Sequence, residues 1–70
     1  MALKEEIGRK IRERRRELGM EQTDLQDYAE VGSTTVSRLE RGKANVTLDT
    51  LERILEVLGL EVVVKVREPR

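Results

Sequence analysis

The run Ser33-Thr34-Thr35-Val36-Ser37-Arg38 gathers hydroxyls and a guanidinium into one short segment directly after Gly32. Hydroxyls donate or accept and so discriminate weakly, whereas an arginine can place two parallel donors on a guanine edge. The competing use of Arg38 is an intramolecular pair with a glutamate or plain solvation. Bond-making chemistry has no comparable candidate. The sequence contains no His and no Cys, and its carboxylates are scattered over helix surfaces, so no nucleophile and base are arranged by a recognisable motif and no metal-ligand set exists. A non-enzymatic protein without cofactor or metal is expected.

Four helices are expected to position that run. Leu3, Ile7, Ile11 and Leu18 recur at helical spacing, and Gly19 supplies a left-handed stop, which predicts a first helix over 3–18. Leu25 and Ala29 face inward from a second, two-turn helix over 22–29, with Thr23 and Asp24 placed to satisfy free N–H groups at its start. Glu30, Val31 and Gly32 interrupt it, and Gly32 is the residue expected to tolerate the non-helical turn. A third helix follows over 33–41, with Val36 and Leu39 inward, Ser33 as a candidate cap and Gly42 as its stop. Thr47 caps a fourth helix whose buried stripe is Leu48, Leu51, Leu55 and Leu58, and Gly59 ends it. The period then changes to two: Leu60, Val62, Val64 and Val66 alternate with Glu61, Val63, Lys65 and Arg67, which predicts a strand closed by Pro69. The expected class is mostly α, a four-helix domain over 1–59, then one C-terminal β-strand over 60–67 and a tail over 68–70.

Two short helices joined by a three-residue turn, the second opening with small polar residues, meet the physical requirements of a helix-turn-helix. Small residues let the backbone approach base edges, and the positive end of the helix dipole favours nearby phosphates. The run Gly19 to Gly42, GMEQTDLQDYAEVGSTTVSRLERG, resembles the Cro and phage-repressor (XRE) helix-turn-helix family. Gln22, Leu25, Val31, Val36, Ser37, Leu39, Glu40, Arg41 and Gly42 fall in its register. The tail LEVLGLEVVVKV is similar to antitoxin regulators of the HipB type, in which a strand follows the fourth helix. Departures occur at Glu21, Gln26, Glu30 and Gly32, where the family favours a hydroxyl cap, an alanine, a turn glycine and a serine. The idealised run RERRREL suits a redesigned member as well as a natural one.

The resemblance implies sequence-specific binding of double-stranded DNA by a transcriptional repressor. Ser33, Thr34, Ser37 and Arg38 would face base edges in the major groove. Gln22, Thr35, Lys43 and Asn45 would meet phosphates, contacts that position the protein without reading sequence. Arg15 and Glu40 would form a partly buried structural ion pair. Tyr28 and Met20 are read as packing residues. An antitoxin that also holds a toxin protein, or a designed DNA binder, is the alternative.

Fourteen basic and fourteen acidic residues cancel, but they are segregated. Lys4, Arg9, Lys10, Arg12, Arg14, Arg15 and Arg16 crowd the first helix, and part of that run simply suits the negative end of its dipole. Seventy residues without disulfide or metal make a marginal core, which leaves oligomerisation as the remaining route to stability. A lone strand leaves both backbone edges unpaired, so a two-fold homodimer joined through Leu60, Val62, Val63, Val64 and Val66 is expected, with an inverted-repeat operator. The same helices of the chain are expected to cover the face bearing Leu60, Val62, Val64 and Val66. Nothing in the sequence is apolar for long enough to span a bilayer, and a cytoplasmic protein is expected.

Overall fold

The computed structural model describes residues 3–68. Four helices follow in the expected order: α1 (Leu3–Glu17), α2 (Gln22–Ala29), α3 (Thr35–Glu40) and α4 (Leu48–Leu58). Helix α1 lies against α3 and α4, and α2 lies against α3 and α4. Ile11, Leu25, Ala29, Val36, Leu39, Ile54, Leu55 and Leu58 close the core between them. No helix among the described residues is long and apolar enough to cross a membrane.

All four helices stop in the same way. After α1 the N–H of Gly19 donates to Arg16 and that of Met20 to Arg15, the paired bonds of a Schellman ending. The same pair recurs at Glu30 and Val31, at Gly42 and Lys43, and at Gly59 and Leu60. Three of these turns use a glycine at φ near +70°, but the one after α2 uses Glu30 at φ 58° and ψ 51°. Glu30, and not Gly32, therefore carries the left-handed residue of the turn, at a steric cost of about 1–2 kcal/mol for a residue with a Cβ. Arg53 of α4 supports this end by donating from Nε to the Ala29 carbonyl at 3.1 Å.

Helix α3 is shorter than expected. Ser33 and Thr34 form a turn before it, closed by the Thr35 N–H on the Gly32 carbonyl at 3.1 Å. Ser33 therefore does not cap the helix, and Thr34 stands at the cap position without a side-chain bond. Arg41 falls just past its other end. At the start of α2 the Glu21 N–H donates to the Asp24 carboxylate at 2.8 Å, so Asp24 satisfies a free N–H there as expected. Thr47 caps α4 as expected, accepting from the Thr50 N–H at 3.1 Å.

The hydrophobic stripes need two corrections. Leu48 is 82% exposed, because it begins α4 about two turns from Leu55, and Ile54 fills the core instead. Leu3, which begins α1, and Leu18, just past its end, are also exposed, and the stripe of α1 is buried only at Ile11 and half-buried at Ile7.

The expected C-terminal strand is absent among the described residues: 60–68 carry no ladder. A strand is defined by bonds to a neighbouring strand, and no other segment of this chain among the described residues supplies them. Its own helices do not cover the tail either. Leu60 is half-buried against the core, while Val62, Val63, Val64 and Val66 are all exposed, the last two at 91%.

Candidate nucleic-acid interface

The exposed side of α3 and the polar contacts beneath it are set by three neighbouring elements. Helices α1 and α3 come together over Gly8, where a Cβ would overlap the Leu39 carbonyl oxygen, and over Gly42, where a Cβ would lie 2.7 Å from Cγ of Glu5. That close approach brings Arg15 to Glu40. The guanidinium grips the carboxylate with two parallel bonds, Nε to Oε2 at 2.6 Å and Nη2 to Oε1 at 3.0 Å. The side chains are only 9% and 3% exposed, so the pair is almost fully removed from water.

Two further bonds complete the arrangement. Arg15 Nη1 donates to the Met20 carbonyl at 2.7 Å, and Gln22 Nε2 donates to Glu40 Oε1 at 3.1 Å. One carboxylate thus ties α1, the first residue of α2 and the last residue of α3 together. The hydrogen bond that Arg15 donates to Glu40 raises its pKa against the burial that lowers it, so the guanidinium stays charged. No buried side-chain nitrogen or oxygen among the described residues lacks a partner.

Above this hub, Val36 and Leu39 anchor α3 in the core while Arg38 stands exposed on its outer side. One Arg38 donor, Nη2, rests on the Lys43 carbonyl at 3.2 Å, and Arg38 has no carboxylate partner among the described residues. Ser33 and Thr34 are exposed at the leading end, and Ser37 and Thr35 are half-buried. Lys43 and Asn45 are exposed in the loop between α3 and α4, and Gln22 is half-buried with one amide N–H committed to Glu40. The DNA-contact residues named from sequence thus fall at the start of α2, in the turn before α3, on α3 and in the loop after it. Leu60, Val62, Val63, Val64 and Val66 lie apart from them in the tail.

A helix-turn-helix family model of the XRE type matches residues 11–64. The chain belongs to the XRE-type helix-turn-helix family. No curated protein matches it. The match covers all of α2, α3 and α4, the second half of α1 from Ile11 onward and half the tail, and as an XRE-type protein the chain is a DNA-binding regulator. Tyr28, read as a packing residue, is 70% exposed in this XRE-type fold and so packs little.

Several residues that hold the XRE-type scaffold carried no signal in the sequence. Gly8 sits inside a helix, and only the close approach of α3 explains it. Arg14 Nε donates to the Leu58 carbonyl at 2.9 Å, so a residue of the basic run closes the end of α4. Arg12, Arg16 and Arg41 line a groove together with Gln22 and Ser37, which the run along α1 taken by itself does not reveal. Their spacing of four on α1 places Arg12 and Arg16 on one face, and that was the available clue.

Proposed function

We propose that this chain is a transcriptional repressor that reads its operator by laying α3 in the major groove. The observation that carries the reading is the asymmetry of α3: Val36 and Leu39 are buried, while Arg38 is exposed with no carboxylate to claim it among the described residues. Ser33 and Thr34, small and exposed at the leading turn, let the backbone come close to base edges. Arg38 reads guanine with two donors. Gln22, Thr35, Lys43 and Asn45 hold phosphates on either side and fix the register.

The operator is an inverted repeat bound by a two-fold homodimer. Four exposed valines and an unpaired backbone in 60–67 support this, since an antiparallel pair of tails would bond one edge of each and cover apolar surface. Half-site centres then lie about one helical turn, or a multiple of it, apart.

Binding of Arg38→Ala to the sequence selected from random duplexes, compared with binding to random duplex, tests the reading. The variant should lose about 1–3 kcal/mol on the selected sequence, lose far less on random duplex and relax one guanine preference. Equal losses on both would remove α3 from base reading.

A further inference from the structure

We infer that α1 contributes its own phosphate site, a groove in which Arg12, Arg16 and Arg41 grip the DNA backbone beside α3. The inference rests on the DNA-binding reading and extends the contact surface to a helix outside the helix-turn-helix.

The groove has a volume of about 230 Å3, and Glu40 is the only carboxylate that lines it. Glu40 is already spent: Arg15 takes both of its oxygens and Gln22 shares one. The three ion pairs among the described residues are Arg9 with Glu13, Arg14 with Glu17 and Arg15 with Glu40. None of them uses Arg12, Arg16 or Arg41, and all three are exposed. Three positive charges therefore face one cavity without an ion pair among the described residues, on a chain whose net charge is zero. An arginine cluster of this kind matches the forked acceptor geometry of a phosphate.

Position decides which phosphate. Ser37 of α3 forms one wall, so the groove opens beside the helix proposed to enter the major groove. Gln22 forms another wall and begins α2, whose positive dipole end adds to the same field. A duplex seated on α3 brings a backbone phosphate to this rim, which makes the occupant a phosphodiester of the bound strand.

Three proteins are compared by titrating duplex at several salt concentrations: wild type, Arg12→Ala/Arg16→Ala, and Lys10→Ala. Lys10 is an exposed residue on α1, and its helical angle points away from Arg12 and Arg16. The double variant should weaken selected and random duplex alike, and its plot of log affinity against log salt should be shallower by about one unit for each phosphate lost. Lys10→Ala should leave the slope unchanged. Arg41→Ala, which touches neither position on α1, should flatten the slope in the same sense. If the double variant and Lys10→Ala shift the slope equally, the groove is not a site and only general charge matters. If wild type binds duplex and the double variant keeps its slope, this inference falls and the DNA-binding reading stands. If wild type binds no duplex, both fall. Binding of inorganic pyrophosphate at micromolar concentration, with the duplex slope unchanged, would assign the groove to a free anion and overturn the inference.

Discussion

The Arg15–Glu40 hub and the tail over 60–68 make opposite demands on the chain. In the hub every buried donor and acceptor finds its partner inside one protomer: two bonds between the charged groups, one to a turn carbonyl and one from an amide. In the tail four valines stand exposed and the backbone carries no ladder. The hub is complete in a single copy, whereas the tail finds no backbone partner among the described residues. Stability of the helical unit should therefore depend on the first and hardly on the second, while assembly should depend on the second alone.

The largest effect that could break this contrast lies in the hub. Arg15→Ala strands a buried carboxylate and Glu40→Ala a buried guanidinium, so each should cost roughly 3–5 kcal/mol in urea unfolding. The double variant should lose clearly less than the sum of the two. Strictly additive losses would mean that the pair does not act as a unit. A smaller loss is expected about two turns earlier on α1. Gly8→Ala forces a methyl group against backbone of α3, and overpacking of this kind costs about 1–3 kcal/mol. A loss near zero would show that α1 and α3 can slide apart without penalty.

The smallest effect on the folded unit belongs to the tail. Val64→Lys/Val66→Lys should change the unfolding free energy of dilute protein by no more than about 0.5 kcal/mol, since both positions are exposed. At higher concentration the two proteins should part: the wild-type midpoint should rise with protein concentration and the variant's should not. A wild-type midpoint independent of concentration would remove the homodimer.

The helices were legible because their signals are local. Leucines and isoleucines at a period near 3.6, glycines after the last turn and Thr47 before α4 each report on their own neighbourhood. The features that escaped are those settled by a second element. Gly8 inside a helix looks like a weakness until α3 is laid over it, and Ile54 outranks Leu48 only because the core ends before the start of α4. Glu30 at a left-handed position breaks the glycine rule that holds at Gly19, Gly42 and Gly59, so the glycine two residues on drew the expectation to the wrong place. The alternation in 60–67 describes a surface suited to a strand, but alternation cannot provide the neighbour that makes it one. In the site, the arginine groove escaped because Arg41 joins Arg12 and Arg16 only through the packing of α3 on α1.

Helix α3 has only six residues, and a free segment of that length would be mostly unwound in water. Here it is held from three directions, by backbone contact at Gly8, by Glu5 against Gly42 and by the charged pair at its last residue. The order that α3 would need for the proposed groove reading is thus supplied during folding and does not have to be supplied again at the moment of contact. Binding by such a preformed surface loses little conformational entropy, so its heat-capacity change should reflect the surface area it covers, without the additional burial that accompanies the folding of a disordered reader.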